Sequence, residues 1–164
     1  MSVWLAAAAA LVAVVALVTH AAALTITSAA ITFPDVTLDG TDQTVTGSTS
    51  AWRADATGES GGWNVTVAST DFDNGAGKTI AVFNFQIRLL DANIVVVSGD
   101  TNKPISTQTG FASLSGTALK MASAAVGEGD GIYDLTPDFR LTVPAETYIG
   151  SYTATVTVEI NAGP

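Results

Sequence analysis

Cysteine is absent from the 164 residues, histidine occurs once, and lysine and arginine together number six. Each shortage removes a class of chemistry. Without cysteine there is no disulfide framework, no thiolate nucleophile and no zinc–cysteine site. His20 lies inside an apolar leader, so a chain processed after it has lost the side chain most used for acid–base catalysis and metal ligation. Fifteen acidic residues against six basic ones give a net charge of −9. A field of that sign repels nucleic acid phosphates and anionic lipid surfaces. Neither is expected as a partner, and no cofactor is predicted.

What is present begins with an uncharged apolar run over residues 1–23, "MSVWLAAAAALVAVVALVTHAAA", followed by small residues suited to signal-peptidase cleavage. The pattern predicts a signal peptide over 1–23, a mature start between Ala21 and Thr25, and one domain over 24–164. The n-region "MSVW" departs from the pattern in carrying no Lys or Arg. An uncleaved anchor is the competing reading. The uninterrupted run from Val3 to Val18 is 16 residues, short of the roughly 20 that span a bilayer, and only the residues beyond His20 extend it. Both readings imply export.

The remainder is rich in Thr, Ser, Gly, Val and Ala and shows no apolar repeat at helical spacing, a β-protein composition. Strands are expected over 24–33, 43–56 as one or two, 63–69, 82–90, 93–99, 112–123, 138–144 and 151–160. Turn clusters at "DNGAGK", "GDTNKP" and "GEGDG" separate several of them. Seven to nine such strands (~8) predict an all-β antiparallel sandwich, immunoglobulin-like or jelly-roll-like. Parity then sorts the faces, because successive side chains of a strand point to opposite sides. Trp63, Val65 and Val67 share one face. Phe83, Phe85, Ile87 and Leu89 share another, as do Phe139, Leu141 and Val143, and Tyr152, Ala154, Val156, Val158 and Ile160. Trp63 therefore reads as a core anchor, entered through the Gly61–Gly62 pair, with a ligand platform as the competing role.

The stretches "GWNVTVASTDF" (62–72) and "LTVPAETYIGSYTATVTVEINAGP" (141–164), with "ITFPDVTLDGTDQTVTG" (31–47) ahead of them, resemble the signature regions of WxL and WxL-like surface domains of Gram-positive bacteria. The first Trp-x-Leu motif of that family stands here as Trp63-Asn64-Val65. The second stands as Val158-Glu159-Ile160 and has lost its tryptophan. The resemblance covers nearly all of the chain after residue 23. It implies an extracellular β-sandwich that associates non-covalently with the cell wall, binds peptidoglycan and joins other exported surface proteins. The changed second motif bears on wall binding more than on fold. Val158 lies on the apolar face, where a smaller side chain is expected to be absorbed by repacking.

Candidate sites are few. Asp71, Asp73 and Asn74, and Glu128, Asp130 and Asp134, form acidic clusters of the kind that hold Ca²⁺ outside cells. Neither fits an EF-hand loop: counting from Asp71, Ala76 stands at the glycine position and Val82 at the bidentate glutamate. Solvated turns are the favoured reading, since Asp and Asn hydrogen-bond their own backbone there. Glycoside hydrolysis would need two acids about 5–9.5 Å apart, a distance no sequence supplies, and a non-catalytic role is expected. Trp52, Tyr133 and Tyr148 lie in or near turn-rich segments and are candidates for stacking on a glycan, with core filling by Trp52 as the alternative. The Asn64-Val65-Thr66 sequon is read as coincidence. Two functions fit: a wall-associated binding module, or a subunit of an extracellular filament or surface layer that self-assembles when the 24–33 strand adds to a neighbour's sheet edge.

Overall fold

The alternation that runs through the sequence becomes fourteen short strands in the computed structural model, which describes residues 24–164. The signal-peptide reading falls on residues 1–23 and lies outside the described residues. The strands are β1 (Thr25–Thr27), β2 (Gln43–Gly47), β3 (Trp52–Asp55), β4 (Trp63–Ser69), β5 (Phe72–Asp73), β6 (Thr79–Ile80) and β7 (Phe85–Arg88). They continue as β8 (Ile94–Gly99), β9 (Ile105–Ser106), β10 (Ala112–Ser113), β11 (Leu119–Ala124), β12 (Gly131–Leu135), β13 (Asp138–Val143) and β14 (Val156–Ala162). Every pairing is antiparallel. Among the described residues the only helical pieces are two three-residue 3₁₀ turns, and no helix is long and apolar enough to cross a membrane.

Three four-stranded sheets, β1-β3-β12-β8, β10-β7-β13-β2 and β14-β4-β11-β9, turn their inner faces onto one core, with β5-β6 as a small ribbon beside them. The fold is thus an all-β antiparallel sandwich whose layers are divided among three sheets. Aromatic contacts tie the sheets together. Trp52 of β3 meets Phe139 of β13 at 5.7 Å between ring centroids, and Trp63 of β4 meets Tyr133 of β12 at 5.9 Å. Phe33, Phe72 and Phe85 pack edge to face, the arrangement the ring quadrupole favours.

Strand parity is obeyed where it was clearest. In β4 and β13 buried and half-buried residues alternate without a break. Trp63, Val65, Val67, Phe139 and Leu141 are buried, while Val156, Val158 and Ile160 face the same core but remain half-buried because β14 lies at a sheet edge, and Tyr152, in the segment before β14, is half-buried against the same core. Phe83 is the exception. It is 64% exposed, because the 3₁₀ turn Val82–Asn84 breaks the two-residue period before β7 begins at Phe85.

Other boundaries shift for backbone reasons. The 43–56 segment forms two strands in different sheets, and 112–123 likewise divides into β10 and β11. The last strand begins at Val156; before it, Thr153 makes only an isolated bridge to Asp73. Residues 131–135, which lie outside every expected strand, form β12 in the interior of a sheet. Gly131 opens it with φ 152°, and a Cβ there would meet the Ser98 carbonyl oxygen at 2.3 Å, so only glycine allows this approach of β12 to β8.

Candidate functional site

The two motif tripeptides lie side by side. β14 pairs with β4 in the register Val158↔Val67, Glu159↔Thr66 and Ile160↔Val65, which continues to Ala162↔Trp63. Trp63 is fully buried, and its Nε1 donates to the Gly129 carbonyl at 2.9 Å. It is a core anchor, and no ligand reaches it. The Asn64 amide, on the opposite face, donates to the Gly163 carbonyl at 2.8 Å, which engages the sequon's acceptor nitrogen.

Val158 is half-buried and packs against the core. An open groove of about 450 Å³ runs beside it, lined among others by Ile31, Phe33, Trp52, Phe85 and Val156. The indole of Trp52 has its Nε1 buried without a hydrogen-bond partner among the described residues.

Of the three aromatic candidates for glycan stacking, two are corrected. Trp52 and Tyr133 are 1% and 0% exposed, because each occupies an inward position of its strand. Tyr133 also spends its hydroxyl on the Asp100 carbonyl at 2.9 Å. Burial, reinforced by the nearby charges of Asp100 and Asp130, pushes its phenol above the usual tyrosine range. Tyr148 is 60% exposed. It stands at a groove of about 570 Å³ whose lining includes Pro34, Val36, Leu38 and Ile149. The Lys78 ammonium lies 4.0 Å from the Tyr148 ring centroid, covering one face of the ring.

The acidic candidates for Ca²⁺ do not converge. Asp71, Asp73 and Asp130 each spend an oxygen on a backbone N–H, of Val82, Gly75 and Gly58 respectively. Glu128 is exposed in a turn. Asp134 belongs to β12 and is bound by Arg53 through two hydrogen bonds of 2.9 Å, which hold its carboxyl below the usual range. Among the described residues no three acidic or histidine side chains are placed to share a metal. Asp39 and Asp55 are also lowered, chiefly by hydrogen bonds from Thr41 and Thr57.

A further group was not singled out from the sequence. On the outer face of β10-β7-β13-β2, the Arg140 Nε donates to the Gln86 Oε1, and the Gln86 amide in turn donates to Ser113 Oγ at 3.3 Å. The Arg140 and Arg88 guanidinium carbons lie 4.2 and 4.6 Å from the Phe111 ring centroid. Arg88 is paired with Asp138 at 2.8 Å. The Thr44 and Thr142 hydroxyls meet at 3.0 Å on the same sheet. Gln86, Arg88 and Arg140 alternate with the apolar residues of their strands and so lie on the outward face, but nothing local in the sequence links them to Phe111.

Comparison with known proteins adds little. No family model and no curated protein matches the chain. Among solved structures, a family 123 glycoside hydrolase from Clostridium perfringens aligns over 74% of this chain at TM-score 0.39 and 16% identity. The chain spans 18% of that enzyme's length, and a likeness of this degree carries no argument about activity.

Proposed function

We propose that the chain is an exported, non-catalytic surface module that holds cell-wall polymer weakly, alone or with other exported proteins, and belongs with the WxL-like domains it resembles. The observation that carries this reading is Tyr148, an exposed aromatic ring beside a largely apolar groove, with the Lys78 ammonium over one face of the ring. Such a ring offers one free face to the apolar side of a sugar. Thr and Ser hydroxyls on the outer sheet faces supply hydrogen bonds that each net only about 0.5–1.5 kcal/mol. Retention would therefore depend on many copies or a second attachment. Co-sedimentation with purified sacculi tests the proposal. Wild-type protein should pellet with them and Tyr148→Ala should pellet several-fold less; equal recovery of both variants, or none of either, rejects it.

A second reading, a filament or surface-layer subunit, is favoured by the outer edge of β14, with which no strand other than β4 pairs among the described residues. Thr153, Thr155 and Gly163 direct their backbone groups toward the β4–β5 side, so those of Ala154, Val156, Val158 and Ile160 point to the open edge. That edge borders the 450 Å³ groove and could accept a strand. The donor first expected, 24–33, is engaged within its own chain: β1 pairs with β3 and Thr32 bridges Ser48. Concentration-dependent growth of high-mass particles from purified protein would establish this reading, and a monomer at all concentrations would remove it.

A further inference from the structure

We propose that Arg140 is the centre of a binding site for a carboxylate carried on a saccharide, on the outer face of β10-β7-β13-β2. The inference rests on the wall-polymer reading and names a second contact, separate from Tyr148. Arg140 is a half-buried cation with unspent donors. Among the described residues its Nε is taken by Gln86, while its two Nη groups make no hydrogen bond and no carboxylate pairs with it. The other basic groups are differently placed: Arg53 and Arg88 are in ion pairs, Lys103 caps the carbonyls of Asp91 and Ile94, Lys78 lies over Tyr148, and Lys120 is exposed. The Nη donors of Arg140 are thus left for an incoming anion.

The guanidinium is also pre-set. Gln86 fixes its Nε edge and the Phe111 ring supports it at 4.2 Å, so the Nη1–Nη2 edge is the one left for a planar, bidentate partner. Carboxylate has that shape, and Arg binds it through two parallel N–H···O bonds. Asp138 is two residues away on the same face, but its Oδ2 is engaged by Arg88, which leaves the trio with one net positive charge. The ligand would be a sugar because the surroundings are a flat row of side-chain hydroxyl and amide groups. Thr46 stands opposite Arg140 in the β2 register, Ser113 stands opposite Gln86, and Thr44 and Thr142 follow. These groups match sugar hydroxyls, whereas an extended peptide needs a free strand edge and β7 and β13 are central strands.

Titration of the full-length protein with a soluble oligogalacturonate and with its methyl ester tests the site, alongside sacculus co-sedimentation of the same preparation. Wild-type protein should bind the acid about tenfold more tightly than the ester. Arg140→Gln, checked for an unchanged melting curve, should bind both as weakly as wild type binds the ester. Arg140→Lys keeps the charge without the fork and should recover only part of the difference. Equal affinity of wild type for acid and ester overturns the site, as does full recovery by Lys or tighter binding of a short acidic peptide than of the oligogalacturonate. If sacculi retain the protein while acid and ester bind equally, the site is wrong and the wall reading stands. If the acid is preferred while sacculi retain nothing, the wall reading falls and with it the site's assignment to wall polymer.

Discussion

The Trp63 indole donates its only N–H to the carbonyl of Gly129, 66 residues along the chain, in a fully buried hydrogen bond of 2.9 Å. The bond ties the first strand of one motif to the glycine-rich turn before β12. It leaves no room at Gly129, where φ is 74° and an added Cβ would lie 2.9 Å from Nε1 and 2.5 Å from the Ala124 Cβ.

Trp63→Ala is accordingly expected to lower stability by about 3–5 kcal/mol, a cavity cost with an unpaired carbonyl added. Gly129→Ala should also destabilise, by more than about 1 kcal/mol, since both φ and space oppose a side chain. Urea unfolding of the two variants checks both figures. A Trp63→Ala protein with an unchanged midpoint would mean the ring is not a core anchor.

The groove beside Val158 gives a prediction of opposite sign. Inserting bulk into a packed core usually costs about 1–3 kcal/mol, but Val158 lines about 450 Å³ of open space. Val158→Trp, which restores the aromatic of the resembled motif, should cost less than about 1 kcal/mol or stabilise. Thermal melts of the variant read this directly, and a loss of several degrees would show that the groove cannot take the ring.

Stability should fall at both ends of the pH scale. The folded pKa of Asp134 is depressed by Arg53, so its contribution is present above the ordinary carboxylate range near ~3.9 and is lost as pH drops through the lower folded value. The folded pKa of Tyr133 is raised. Its contribution is present below the ordinary tyrosine value near ~10 and disappears as pH climbs through the higher folded value. Denaturant midpoints across pH should show a shallower acid limb in Asp134→Asn and a shallower alkaline limb in Tyr133→Phe. Unchanged limbs would remove these groups as the cause.

Calcium should have no effect. The five acidic side chains once grouped by sequence are spent on separate backbone N–H groups, on Arg53, or on solvent. Melting temperature with added Ca²⁺ and with chelator should agree, and a rise of several degrees with Ca²⁺ would reinstate a metal site.

The parts of this fold legible in the sequence are those where alternation is long and unbroken. Trp63 to Val67 and Phe139 to Val143 repeat with a period of two, and their buried faces follow. Phe83 deceived because a 3₁₀ turn leaves the same residue types in place while changing the period. β12 was hidden because "GIYDL" opens on glycine and carries an aspartate, features that also mark turns; only its pairing with both β3 and β8 shows that Tyr133 points inward. The candidate anion site was hidden for a different reason. Gln86, Phe111 and Arg140 come from three separate segments, and strand order, which the sequence does not print, brings them together.

The central claim, weak and metal-independent attachment to wall polymer through surface groups and not through the buried motif, is tested most directly by sacculus co-sedimentation in the presence of chelator. Wild type and the Val158→Trp variant should pellet alike, and Tyr148→Ala should pellet several-fold less. Retention that vanishes with chelator, or that Val158→Trp changes while Tyr148→Ala does not, would contradict the account.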